Sequence, residues 1–245
     1  MDNNQLTESS IHFFVINLPK CEERYQDISR ILDSFKLSYS RIEAIDGYDL
    51  ENNEDCKKIL KQREQLIGQK FRCIATNEEW IYDGTIKTSF PGYVLNGNYG
   101  IKGLTVSNIK TFLESQNMNY EWFCILEDDA EINEENISII HNFIKNSDNN
   151  DYDVVLLDDR EWGGASALLY NKRIIPKLIE DLHPLSDFSI INEATYGDPN
   201  LWDWKLNKYI CNHNKNIKFK CIPCISSGKY PSTITDSLIV LNKII

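Results

Sequence analysis

The run IHFFVINL (11–18) is apolar at nearly every position, of strand length and rich in β-branched and aromatic side chains, which predicts a β-strand. The pattern then changes period. CEERYQDISRILDSF (21–35) spaces Tyr25, Ile28, Ile31, Leu32 and Phe35 as one face of a helix. YSRIEAIDG (39–47) reads as a second strand closing in a turn. A strand–helix–strand opening predicts a parallel sheet with helices on its faces. Residues 48–100 are less orderly: ENNEDCKKILKQREQLIG has helical character, whereas TSFPGYVLNGNYG, with Gly92, Gly97 and Gly100, reads as loop. An irregular insert of that length, poorly patterned over about 50–95, is expected of a binding loop or lid. TVSNIKTFLESQ (105–116) restores the helix period and leads into the strand WFCIL. Then come a helix at EENISIIHNFIKNS (134–147), a strand at YDVVLLDD (152–159) and the segment GGASALLYN. The helix KRIIPKLIEDL, the aromatic-rich GDPNLWDWKLNKYI and a closing strand IKFKCIPCI complete the order. No repeat or low-complexity linker divides the 245 residues. The pattern predicts one alternating α/β domain, with helices on the faces of its sheet and acids at strand ends.

One boundary in this pattern is chemically unusual. In WFCILEDDAEI (122–132) a hydrophobic strand runs straight into Glu127, Asp128 and Asp129. Ligands of open α/β sheets sit beyond the carboxyl ends of the strands, so acids there face a ligand. Side chains alternate along an extended segment, which would turn Glu127 and Asp129 to one side and Asp128 to the other. Two converging carboxylates repel each other unless a divalent cation lies between them. Mg²⁺ or Mn²⁺ suits such hard oxygen ligands and also accepts diphosphate oxygens. The competing reading is an acidic turn that caps the next helix, because carboxylates favour helix N-termini.

Charge narrows the partners. The net charge of −11 and pI near 4.9 argue against a nucleic-acid or anionic-membrane surface. An anionic substrate would need local countercharge or a metal. The basic CNHNKNIKFK near the end reads as a solvated strand edge. No apolar run approaches the length of a membrane span. The first residues, MDNNQLTESS, lack the basic start and apolar core of a signal peptide, and LNKII at the end carries no retention signal. A soluble, cytoplasmic protein is expected, in a bacterium or a cell infected by a large DNA virus. The seven cysteines, an odd number, favour a reducing compartment over a disulfide framework. Cys211-x-His213 with Cys221-x-x-Cys224 offers four zinc ligands, but the proline inside CIPC and the alternation around it favour a strand.

Taken in order, several segments resemble glycosyltransferase family 25, the lipooligosaccharide and procollagen galactosyltransferase-like enzymes. FFVINLPKCEER is similar to the family's first strand and turn, where an INL strand (here Ile16, Asn17, Leu18) precedes an arginine matched by Arg24. IEAIDG resembles the second strand, ending in Asp46 and Gly47, and GLTVSNIKTF resembles the segment before the central acids. CILEDDAEI matches the family's Glu-Asp-Asp metal motif. YDVVLLDD, GGASALLYNKRIIPKLIE, LWDWKLN and CIPCISSGKYPSTI follow in the order of the family's later half.

The resemblance implies a GT-A-like α/β fold of Rossmann type, with a mixed, mostly parallel sheet and helices on both faces, that uses a UDP-sugar and Mn²⁺ (or Mg²⁺) and inverts the anomeric carbon. The sugar would be a hexose, galactose or glucose, passed to a hydroxyl on a glycan or on a protein such as a collagen-like chain bearing hydroxylysine. By resemblance, Asp129 contacts the metal with help from Glu127. Asn17, Leu18, Arg24, Asp46, Gly47, Ser107, Asn108, Glu127 and Asp128 surround the nucleotide sugar. Arg24 has a competing reading as a helix-surface ion pair. Inversion also needs a base for the acceptor hydroxyl. Asp203, between Trp202 and Trp204, is the first choice, with Asp158, Asp159 and Glu161 as rivals. Trp202 and Trp204 would offer the acceptor a sugar platform, although Trp202 suits a core equally well.

One departure bears on activity. Where the family has Ser-His, this chain has Ser107-Asn108, and an amide cannot move a proton. A catalytically silent relative that binds a glycan or protein is therefore the alternative class. A nucleotidyltransferase is disfavoured because NLPKCEER has no glycine-rich phosphate loop. An EF-hand is disfavoured because DDAEINEENISI lacks glycine at its sixth position.

Overall fold

In the folded chain the unbroken apolar run at the start becomes a strand covered on both sides. The structure, a computed structural model, describes residues 10–46, 68, 70–72, 79–81, 99–148, 151–159, 166–182 and 216–227. Strand β1 (Ile11–Asn17) leads through a 3-10 turn (Pro19–Cys21) into α1 (Glu22–Ser34) and then β2 (Tyr39–Glu43). A separate two-stranded antiparallel pair, β3 (Lys70–Arg72) and β4 (Glu79–Ile81), follows. Helix α2 (Tyr99–Ser115) precedes β5 (Trp122–Glu127), the short β6 (Ala130–Glu131) and α3 (Glu134–Asn146). Then come β7 (Val154–Asp158), β8 (Ala167–Asn171), α4 (Ile175–Leu182) and β9 (Phe219–Ser227).

The main sheet has seven strands in the order β2-β1-β5-β8-β7-β9-β6. Strands β2, β1, β5, β7 and β9 run one way, and β8 and β6 run against them. The expected mixed, mostly parallel sheet is what forms. Its two faces divide the alternating side chains of each strand. Ile11, Phe13 and Val15 join Trp122, Cys124 and Leu126 in a layer closed by Ile28 and Leu32 of α1 and Ile137, Ile140 and Ile144 of α3. Phe14 and Ile16 join Phe123 and Ile125 in the opposite layer, closed by Ile109 and Phe112 of α2 and Ile175 and Leu178 of α4. Each fully buried side chain of this kind contributes about 1.5–3 kcal/mol. Burial on both faces is why β1 and β5 read as continuous runs rather than as alternation.

The helix ends have local causes. Beyond α1, Leu37 N–H reaches Leu32 O at 3.1 Å and Lys36 N–H reaches Asp33 O at 2.9 Å. That is a Schellman closure, with Lys36 held at φ 53 where glycine is usual. Helix α3 is capped by Asn133, whose side chain accepts from Asn136 N–H at 3.0 Å, while Asn136 Oδ1 accepts from Asn133 N–H at 2.8 Å. Asn136 Nδ2 also donates to Cys224 O, pinning α3 to β9.

Several expectations shift. Helix α2 begins earlier than the periodicity predicts, at Tyr99, and KRI at 172–174 forms a 3-10 turn before α4. The segment ALLYN is an antiparallel strand inserted between β5 and β7, which strict strand–helix alternation does not foresee. Of CNHNKNIKFK only residues 216–220 are described; there β9 pairs with β7 alone, β6 meeting it only at Ser226 and Ser227, and Lys220 Nζ sits over the rings of Phe143 and Tyr152. CIPC lies within that strand. Cys211 and His213 lie outside the described residues. No helix among the described residues is long and apolar enough to cross a membrane.

Candidate nucleotide-sugar site

Three neighbouring parallel strands, β2, β1 and β5, finish at one edge of the sheet, and their ends meet there through polar side chains. Ile16 of β1 lies opposite Glu127 of β5, and Asn17 opposite Glu43 of β2. Beyond Glu127 the chain turns, so Asp128 and Asp129 belong to the link between β5 and β6 and strict alternation ends at Glu127. Asp128 bends toward β1. Its Oδ2 accepts from Asn17 Nδ2 at 2.6 Å, and its Oδ1 accepts from Arg24 Nη1 at 3.3 Å. Arg24 and Asp128 keep only 13% and 12% of their side-chain surface, so the pair is largely withdrawn from water. The acids do not cap the following helix, because β6 intervenes and Asn133 is the cap.

Asn17 is the hub of this edge. Its Nδ2 also donates to Cys21 O at 3.0 Å, closing the β1–α1 turn, and its Oδ1 accepts from Arg41 Nη2 at 2.5 Å. Arg41 reaches Glu22 with its other terminal nitrogen at 2.8 Å and lies over the Tyr25 ring at 4.3 Å. Burial pushes the Asp128 carboxyl up from its ordinary value, and the hydrogen bonds from Asn17 and Arg24, with the charges of Arg24 and Arg41, pull against that.

Farther along the same edge, Lys20 Nζ meets Asp46 Oδ2 at 2.6 Å, an exposed cation on a partly covered carboxylate. The backbone leading to Asp46 is fixed from α2. Ser107 Oγ donates to Gly103 O at 2.6 Å and accepts from Ile45 N–H at 2.9 Å. Asn108 is buried and donates to Leu104 O within its own helix.

The acidic turn is held on its other flank too. Glu127 N–H donates to Ser166 O at 2.8 Å. Ser166 in turn gives both its N–H, at 3.0 Å, and its hydroxyl, at 2.5 Å, to Asp158 Oδ2. Asp158 is fully buried at the end of β7. Its geometry braces the start of β8 and, through Ser166, the backbone of Glu127. Asp159 is exposed one residue later, with its N–H on Ile225 O at 2.9 Å.

The donor set is chemically suited to a hard divalent cation, since carboxylate oxygens are what Mn²⁺ and Mg²⁺ take. Among the described residues no group of three or more His, Cys, Asp or Glu side chains could cage an ion. Ions at nucleotide sites commonly use one or two carboxylates and complete their shell with substrate phosphates and water, which this edge can match. Asp128 is engaged by Asn17 and Arg24, and Glu127 and Asp129 flank it in the chain as the carboxylates that would hold such an ion.

The structure thus brings Asn17, Arg24 and Asp128 into contact, with Leu18, Asp46, Ser107, Glu127 and Asp129 on the same or adjoining segments. Asp158 and Asp159 end the more distant β7. Gly47, Glu161, Trp202, Asp203 and Trp204 lie outside the described residues. Sequence reading missed Arg41, Lys20 and Ser166. A signal existed for Arg41, a lone cation in a short strand beside the first strand, but its partners are fixed only by strand pairing.

No curated protein matches the chain. Among solved structures it is similar to a glycosyltransferase involved in the glycosylation of the major capsid of PBCV-1, at 11% identity and a TM-score of 0.45, over 96% of this chain and 99% of that one. Residues 10–178 match the model of glycosyltransferase family 25 (LPS biosynthesis protein), a span that ends before Asp203. It takes in β1, the acidic turn and every contact of Asn17, Arg24, Arg41 and Asp128 described above, and the chain belongs to glycosyltransferase family 25.

Proposed function

We propose that this family member moves a hexose, galactose or glucose, from a UDP-sugar to a hydroxyl acceptor, with a divalent cation, Mn²⁺ or Mg²⁺, and with inversion. The observation that carries the reading is the joined edge of β1 and β5. There Asn17 and Arg24 fix Asp128 at the carboxyl ends of parallel strands, where an α/β sheet receives its ligand. Arg24 and Lys20 are cations of that edge, each paired there with a carboxylate, Asp128 and Asp46. A metal bound by Asp129 and Glu127 would act as the Lewis acid for a diphosphate leaving group. The protein's own residues orient the donor. Asp128 is held rigid for a ribose or a metal-bound water, and Asp46, tethered through Ser107, faces the base or ribose.

The acceptor is a glycan or a protein hydroxyl such as hydroxylysine. Its general base is assigned to Asp203, flanked by Trp202 and Trp204. The test is turnover of UDP-glucose, UDP-galactose and UDP-N-acetylhexosamines with and without Mn²⁺. Metal-dependent release of UDP from one hexose donor supports the reading. UDP binding without turnover of any donor would point instead to a silent binding module, in line with Asn108 where the family has histidine.

A further inference from the structure

We infer that Arg41 is a positioning residue of the donor site, acting on Asp128 through the amide of Asn17; this rests on the donor reading above. Arg41 stands on β2 opposite Val15 and is mostly covered, with 22% of its side chain exposed. Three contacts fix the plane of its guanidinium: Asn17 Oδ1 at 2.5 Å, Glu22 Oε2 at 2.8 Å and the Tyr25 ring at 4.3 Å.

A guanidinium only donates, so it demands the oxygen of Asn17. The amide nitrogen must then face the other way, where two acceptors, Asp128 Oδ2 and Cys21 O, await it. The flipped amide would set NH₂ against guanidinium and oxygen against carboxylate, losing every one of these bonds. Arg41 thereby selects the orientation of Asn17 that holds Asp128, while Arg24 holds the second oxygen of the same carboxylate. Arg41 Nε is buried and has no hydrogen-bond partner among the described residues, so the side chain's hydrogen bonds run through its two terminal nitrogens to Asn17 and Glu22.

The test measures UDP binding by calorimetry with Mn²⁺ on the full chain, together with thermal melts. Arg41→Gln should weaken UDP about tenfold, the scale of one lost charge-assisted hydrogen bond, and Asn17→Ala should do the same. The double variant should bind no more weakly than Asn17→Ala, because both changes break one relay. Arg41→Lys retains the charge but cannot span Asn17 and Glu22 in one plane, so it should stay within about threefold of Arg41→Gln. Multiplying effects in the double variant, or wild-type affinity in Arg41→Lys, overturns the inference.

Absence of UDP binding by the wild type would count against the donor reading alone. Positioning is then read from the Asn17 side-chain amide by NMR. The two Nδ2 protons, distinct in any asparagine because the amide C–N bond rotates slowly, should be protected from water exchange in the wild type and lose that protection in Arg41→Lys. Undiminished protection in that variant overturns positioning whatever the ligand.

Discussion

Asn17 donates to Asp128 across 2.6 Å, tying the last residue of β1 to the turn that follows β5. The bond joins two chain segments more than a hundred residues apart in sequence. Together with Arg24 it offsets part of the cost that burial imposes on this carboxylate, whose pKa still lies above its ordinary value. Asp128→Asn keeps the shape but confronts Asn17 Nδ2 with a neutral group and deprives Arg24 of its anion. Unfolding free energy from urea titration should fall by about 1.5–3 kcal/mol, the range for hydrogen bonds to charged groups. Stability equal to wild type would mean that the pair is solvated and does not organise the edge.

Asp129 occupies a different position in the same turn and has a different expected effect. Asp129→Ala should abolish Mn²⁺-dependent donor hydrolysis while the protein still melts cooperatively, since the residue lies outside both apolar layers. Unchanged metal-dependent turnover would remove Asp129 from the metal site. Loss of turnover with a collapsed melt would show that the turn is needed for folding instead.

How much of this was legible depends on the range of the interaction. The apolar runs of β1, β5 and β7 announced their strands because both faces are buried, and the period of α1 and α3 was set by one buried stripe. The acidic turn was legible as chemistry for the same reason: charges at the end of a buried strand are conspicuous. Its alternation was not, because Asp128 and Asp129 leave the extended conformation after Glu127. The pattern of GGASALLYN names no strand, and the direction of β8 is decided by its partners rather than by its own side chains. Ser166 carried no signal and Arg41 only that of a lone cation in a short strand, because each acts through a neighbour supplied by another strand.

Lys36 pays for the end of α1 with an unfavourable backbone conformation. At φ 53 its Cβ crowds the carbonyl, a penalty glycine avoids. Lys36→Gly should therefore stabilise the protein by about 0.5–1 kcal/mol, after the greater freedom of glycine in the unfolded chain is deducted. The urea midpoint should rise with an unchanged slope. A lower midpoint would show that the lysine side chain contributes more than its backbone costs.

His12 gives the fold a pH dependence with a definite sign. It is buried near the start of β1, with Nδ1 on Ser38 Oγ at 2.8 Å and Nε2 on Ser40 Oγ at 3.0 Å. Ser38 also meets the Tyr120 hydroxyl at 2.8 Å, and the imidazole packs against the rings of Tyr120 and Phe14. Burial disfavours the imidazolium and lowers the pKa from 6.5 to about 4. Between those values the unfolded chain binds a proton that the folded chain refuses. The stabilisation is complete above pH 6.5 and declines as pH falls toward 4, by at most about 3 kcal/mol. Carboxylates titrate in the lower part of the same window, so the contribution is isolated by comparison with His12→Gln, which retains a donor and an acceptor but takes up no proton. The stability of the wild type relative to that variant should drop on acidification from pH 7 to 4.5. A difference that stays constant across this range would mean that His12 ionises as freely folded as unfolded, and that its two serine contacts open to water.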